Sequence, residues 1–264
     1  MFNRVIAAVT IGVFCATIAQ PSARAAELLV LSNKGRTVSV VDTATSKILR
    51  QADLPSNAQL TTASVNTVER EVWGITKDLR LVVLSFETLA VTSRSEVLDT
   101  EAYAERLIYC TDESVYCNLI ISRKRAAALN DEGAILQTAD LPKASYRSGR
   151  PRLAAFGAIV DPEDETTTKL YAIDADEGSL IRLPPNKPNP KWKLVAKLDD
   201  RIKAPFAFDT IRESGVTRGY VVLGSTLYAL NLLNGRISKP RAIKGLKGAA
   251  IGISFYAPLA EQRR

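Results

Sequence analysis

One layout recurs along this chain: an apolar run, a polar turn, an apolar run, a second turn and a third apolar run. It is plainest in LLVLSNKGRTVSVVDTATSKILRQADLP (28–55). It returns in altered form in REVWGITKDLRLVVLSFETLAVTSRSEVLD (70–99) and VYCNLIISRKRAAALNDEGAILQTADLP (115–142). KLYAIDADEGSLIRLPPNKPNPKWKLVAKLD (169–199) and GYVVLGSTLYALNLLNGRISKPRAIKG (219–245) follow the same plan. Within these units apolar and polar residues alternate, β-branched residues are frequent and turn residues punctuate the runs, which marks strands. Few segments sustain the i, i+3, i+4 apolar stripe of a helix. A repeat of this length is one supersecondary unit that cannot bury its apolar face alone, so the units must pack on one another.

Each of the last four units is preceded by one more apolar strand: LTTASVN (60–66), AERLIYC (104–110), RLAAFGAIV (152–160) and PFAFDTI (205–211). The first unit lacks that strand, and AAIGISFYAPL (249–259) supplies an unassigned one at the opposite end of the chain. Radial packing of four-stranded sheets around an axis buries both faces of each sheet and leaves only short edges. The expected fold is therefore all-β, a single β-propeller of five four-stranded blades, with the C-terminal strand completing the first blade.

The chain opens MFNRVIAAVTIGVFCATIAQPSARAAELL, with Arg4 before an apolar run from Val5 to Ala19 and a small-x-small site at Ala23-Arg24-Ala25. This is the pattern of a cleaved signal peptide over 1–25, and the run is shorter than a bilayer span requires. The expectation is an exported protein, periplasmic or secreted, with the propeller over 26–264 and no transmembrane segment after cleavage. Loss of Arg4 and Arg24 leaves 33 bases against 28 acids, a net charge of +5. Histidine is absent, which removes Ser-His-Asp and Cys-His nucleophiles, His-ligated metals and His proton shuttles. Cys110 and Cys117 flank a turn at Glu113-Ser114, so an oxidising compartment is expected to bridge them as a structural disulfide.

LSNKGRTVSVVDTATSKIL resembles the repeat of the YVTN family of bacterial propellers. LYAIDADEGSLIRL and GSTLYALNLLNGRI resemble the repeats of pyrroloquinoline-quinone-type propellers. The resemblance implies blades and tight turns at Asp42, Gly178 and Gly235. It implies no cofactor, because the quinone enzymes are far longer and use more blades.

Acidic stretches offer little chemistry. DADEG (174–178) has the opening of a calcium loop without its closing Glu, and reads as a hairpin turn. DPEDETTT (161–168) reads as an exposed loop. A propeller glycosidase needs two carboxyl groups near the axis. The innermost strands offer Asp209, with Glu105 as its one companion. The sequence thus points to no catalytic residue, metal or cofactor.

Charge is more informative once loops are assigned to faces. Loops between the second and third strands share one face with the loops joining successive blades. On it fall Lys34, Arg36, Lys77, Arg80, Arg123, Lys124 and Arg125, followed by Lys143, Tyr146, Arg147, Arg150 and Arg152 from KASYRSGRPR (143–152). In those four loops Asp78 is the single acid, whereas Asp176, Glu177, Asp199 and Asp200 dilute the later ones. A one-signed surface steers and retains anions, and Tyr146 adds a stacking anchor among the arginines. The sequence reading is a non-catalytic exported binding or scaffold protein that presents a basic face to an anionic protein, polysaccharide or lipid headgroup, and not to nucleic acid. The alternative is a periplasmic enzyme or enzyme subunit, either a carboxylate-based hydrolase or an accessory subunit of a dehydrogenase.

Overall fold

A computed structural model of the protein describes residues 26–67, 69–97, 106–108, 118–121, 125–129, 135–160, 168–184, 190–199, 207–213 and 216–256. Residues 1–25, expected from the sequence to be a signal peptide, and Cys110, Cys117, Glu105, Arg123, Lys124 and residues 161–167 lie outside these ranges.

The chain is built from antiparallel strands. β1 (Glu27–Ser32), β2 (Thr37–Asp42) and β3 (Ile48–Asp53) form a meander, as do β4 (Leu60–Asn66), β5 (Glu71–Thr76), β6 (Arg80–Ser85) and β7 (Val91–Val97). β8 (Arg106–Ile108), β9 (Asn118–Ile121), β10 (Arg125–Leu129) and β11 (Ile135–Asp140) follow. Next come β12 (Leu153–Val160), β13 (Thr168–Asp174), β14 (Ser179–Leu183) and β15 (Lys193–Lys197). The last meander is β16 (Ala207–Glu213), β17 (Val216–Leu223), β18 (Thr226–Leu230) and β19 (Arg241–Ala242), and the chain then returns as β20 (Ala250–Tyr256). These strands pair into five four-stranded sheets. In the first sheet the order is β20-β1-β2-β3, so the C-terminal strand lies beside the N-terminal one, with Glu27 opposite Tyr256 and Val30 opposite Ile253.

The innermost strands β4, β8, β12, β16 and β20 touch in succession, and β20 meets β4 to close the circuit. This is a β-propeller arrangement. Its core is a set of apolar layers between neighbouring sheets. Leu28, Val30 and Phe255 of the first sheet pack on Ile211, Tyr220 and Val222 of the last. The opposite face of the first sheet, with Leu29, Leu31, Val38 and Val40, packs on Leu60, Val65, Val72 and Leu84 of the second. A strand buried on both faces must be apolar at successive positions rather than at alternate ones. That is why LLVLS and VSVV show no polar-out residue over their buried lengths.

The turn chemistry repeats as well. In three sheets the third and fourth strands are joined by the same loop, in which Asp42, Ser85 and Asn231 accept main-chain bonds from Ser46 (2.8 Å), Leu89 (2.8 Å) and Gly235 (2.9 Å). The side chains of these three residues also cap the turn, accepting from the N–H of Thr45 (2.7 Å), Thr88 (3.3 Å) and Leu233 (2.8 Å). Ser46, Leu89 and Gly235 all carry positive φ. One conformation is thus specified by different sequences, because any short side chain with an acceptor oxygen serves at the first position.

Close approach fixes two glycines. A Cβ on Gly157 of β12 would lie 2.5 Å from Thr210 Oγ1 of β16. One on Gly35, whose φ is +84°, would lie 1.7 Å from the Leu60 carbonyl oxygen. The outermost strand of the last sheet is only two residues long. Pro240 lacks the N–H that would extend the ladder toward the isolated bridge at Ile237.

Candidate functional site

The loops at the starting ends of the innermost strands form one face of the ring, and the described ones among the basic residues picked out in the sequence, all but Arg123 and Lys124, belong to these loops. Their surroundings divide them into two groups.

The first group sits over the first two sheets. Asn33, Lys34 and Gly35 form a left-handed turn between β1 and β2, with φ of 52°, 58° and 84°. The turn is clamped from the side by Gln59, whose Nε2 donates to the Lys34 carbonyl at 2.7 Å. Gly35 is buried beneath it, while Lys34 and Arg36 point out exposed. In the β5–β6 turn the Thr76 hydroxyl accepts the N–H of Arg80 at 2.9 Å, and Lys77 is exposed at the tip. Arg80 and Arg94 share Asp78, at 3.1 and 3.2 Å. Lys247, from the loop before β20, pairs with Asp53 at 2.5 Å and, with the Thr37 hydroxyl, holds that carboxyl below the usual range. Among the described residues, Lys34, Arg36 and Lys77 take part in no ion pair.

The second group is internally neutralised. Arg147 reaches Asp174 (3.4 Å), Asp176 (3.3 Å) and Glu177 (4.0 Å). Arg150 pairs with Asp140 at 2.9 Å and Arg152 with Asp176 at 2.6 Å. Arg125 lies 3.9 Å from Asp140. The Tyr146 hydroxyl donates to the fully buried Asp174 at 2.7 Å, and burial, then that carboxylate, push the phenol far above its usual range. Arg152 foremost, then Arg147, holds Asp176 below the ordinary carboxylate range, and Lys197 does the same for Glu177. The DADEG turn is thus a receptor for the long loop: Asp174 caps the Asp176 N–H at 3.1 Å, and Gly178 takes its positive φ. Lys143 is exposed and uses its carbonyl to accept the Trp192 N–H at 3.0 Å. Counting charge loop by loop misses this pairing, because Arg147 and Arg152 lie 29 and 24 residues from Asp176, and Asp140 belongs to the preceding strand.

Near the axis, Asp209 on β16 places its carboxylate between two main-chain donors. Oδ1 accepts the Thr210 N–H at 2.7 Å and Oδ2 the Phe255 N–H of β20 at 2.9 Å. The neighbouring Ser254 hydroxyl accepts the Val65 N–H of β4 at 3.0 Å. The C-terminal strand is therefore stitched on both flanks by side chains that satisfy edge N–H groups. Burial pushes the Asp209 carboxyl up to about 7, and its two N–H donors offset that only in part. The described residues contain no group of three or more acids or cysteines able to hold a metal ion, and no helix among them is long and apolar enough to cross a membrane.

No family model matches the chain, and no curated protein matches it. The YVTN and quinone resemblances are therefore likenesses of strand and turn motifs, not of family. Among solved structures, the chain is similar to a protein of unknown function from Bacteroides caccae at 10% identity and a TM-score of 0.42, over 85% of this chain and 75% of that one. It is also similar to the dihydro-heme d1 dehydrogenase NirN at 12% identity and a TM-score of 0.35. That match covers 83% of this chain and only 54% of the other, so the chain spans about half the length of that protein.

Proposed function

We propose that the chain is an exported, non-catalytic five-bladed propeller that presents a basic sector over its first two sheets to an anionic partner. The observation that carries this reading is the placement of Lys34, Arg36 and Lys77. They are exposed on one face, without an acidic partner among the described residues, on turns locked by Gln59 and Thr76. A rigid turn presents its charge without an ordering cost at the moment of binding, which favours association. The leader over 1–25 supports delivery to the periplasm, where acidic proteins and anionic polysaccharides are the available partners. Tyr146, Arg147, Arg150 and Arg152 take no part in this resting surface, since their charges and hydroxyl are satisfied within the chain.

Retention on an anionic resin tests the reading. A Lys34→Ser, Arg36→Ser, Lys77→Ser variant is compared with Lys47→Ser, Lys191→Ser, Lys193→Ser, which removes the same charge from exposed lysines at the opposite ends of the strands. The first variant is expected to elute at lower salt than the second. Coincident elution overturns the proposal, because net charge alone then governs retention.

A second reading rests on Asp209. A carboxyl raised to about 7 by burial is suited to general-acid chemistry near neutral pH, which favours a carboxylate-based hydrolase as the alternative. That reading needs a second carboxyl about 5–10 Å away, and Glu105 is the residue to replace in testing it.

A further inference from the structure

The loop that joins the third and fourth sheets is bracketed by Pro142 and Pro151. Between them the chain turns back on itself, with the Ala144 N–H donating to the Gly149 carbonyl at 2.9 Å and Gly149 at a φ of +83°. The loop does not hang in solvent. Its residues 143–145 clip onto Trp192: the Trp192 N–H donates to Lys143, and the Ser145 N–H and hydroxyl both donate to the Trp192 carbonyl at 2.9 Å. Leu141 and Tyr146 lie over an apolar layer of Leu153, Phe156, Ala172, Ile181 and Trp192 on the fourth sheet.

Two features distinguish this cover from ordinary core. First, ion pairs add to the main-chain clip on Trp192 and the apolar contacts. Arg147, Arg150 and Arg152 are held by Asp140, Asp174, Asp176 and Glu177, and all of these acids except Asp174 are well exposed. Exposed pairs are weak and screened by salt. Second, closure leaves a buried donor, Trp192 Nε1, without a hydrogen-bond acceptor, and Arg147 Nε faces Asp174 only at 3.4 Å. An unsatisfied buried donor is costly, and opening to water relieves it. The hinges are stiff, part of the fastening is ionic and the closed state leaves the Trp192 donor unpaired.

We propose that residues 143–150 form an ionic strap that opens as a unit, baring the apolar face beneath it and releasing Arg147 and Arg150 from their internal carboxylates. In the resting molecule these two arginines are paired with carboxylates of the chain, and the opened strap adds their charge to the basic face. High ionic strength favours the open form. This inference stands on the loop's own contacts and does not depend on the partner proposed for Lys34, Arg36 and Lys77.

Hydrogen exchange on the full chain tests it, read at the amides of Ser145 and Trp192, which are bonded only when the strap is shut. Going from low to about 1 M sodium chloride, where the screening length falls to about 3 Å, is expected to speed their exchange by roughly tenfold. The amides of β13 and β14 should keep their rates. An Asp176→Asn, Glu177→Gln variant, altered only at exposed positions, should show the same speeding at low salt. Quenching of Trp192 by acrylamide in a Trp73→Phe background gives a second readout and should rise with salt. Strap amides as slow at high salt and in the variant as in the wild type at low salt overturn the proposal. So does an equal rise in β13 and β14, which signals global rather than local opening.

Discussion

Replacing Asp209 with Asn separates the ring's seam from its pH dependence. The carboxyl lies between β16 and β20, accepting from Thr210 and Phe255, and no described residue forms an ion pair with it. Of the strands packed on β16, β12 carries no ionisable residue, β17 carries Arg218 and Tyr220, and β20 carries Tyr256. Burial raises the carboxyl to about 7. An aspartate in the unfolded chain titrates near 3.9, so the difference corresponds to on the order of 4 kcal/mol. The sign follows from proton counting. Between about pH 4 and pH 7 the folded state binds the proton and the unfolded state does not, so stability falls as pH rises through that window and is level above it. Asparagine stays neutral throughout but sets its NH2 group against one of the two main-chain donors, Thr210 or Phe255, a loss of about 1–3 kcal/mol. The variant should therefore be less stable than the wild type at pH 4.5 and equal or more stable at pH 8. Urea titrations followed by tryptophan fluorescence at both pH values measure this. Asp53, Asp78, Asp176 and Glu177 titrate below the ordinary carboxylate range, so their contributions fall outside the window and cancel in the comparison. A stability difference between variant and wild type that is the same at pH 4.5 and pH 8 refutes the reasoning.

Two further perturbations probe the frame itself. Ending the chain before Gly248 removes β20, with the buried Ala250, Ile253 and Phe255, and uncovers the inner edge of β1. Each large apolar side chain contributes about 1.5–3 kcal/mol and a domain has only about 5–15 kcal/mol in all. The truncated chain should therefore show no cooperative thermal transition, whereas the full chain should melt cooperatively. Gly35→Ala places a methyl group 1.7 Å from the Leu60 carbonyl at a φ of +84°. It should lower the unfolding free energy in urea by at least about 2 kcal/mol, against less than about 0.5 kcal/mol for Lys34→Ala beside it.

Much of the frame was legible because it rests on local chemistry. SVVDTATSK announces a strand and a capped turn, and the turn is made by Asp42 as its residue type requires. The unpaired first unit pointed to AAIGISFYAPL, and β20 pairs with β1 along its length. The charged face was legible only as composition. The sequence places Arg147, Arg150 and Arg152 in one loop but not the DADEG turn beneath them, and side-chain reach across 24 to 29 residues decides which charges survive. Lys247 was overlooked for a similar reason, since its loop and its partner Asp53 are brought together only when the last strand returns to the first sheet. Asp209 was visible as a lone acid on an innermost strand. Its role at the seam depends on the Phe255 N–H, 46 residues away.

Lysine footprinting of the full chain, with and without an anionic polysaccharide such as heparin, tests the proposed surface most directly. Acetylation is read residue by residue at low salt. The account predicts that Lys34 and Lys77 lose reactivity in the presence of the polyanion, while Lys191 and Lys193, exposed at the other ends of the strands, keep theirs. Equal protection of all four lysines, or of none, contradicts it.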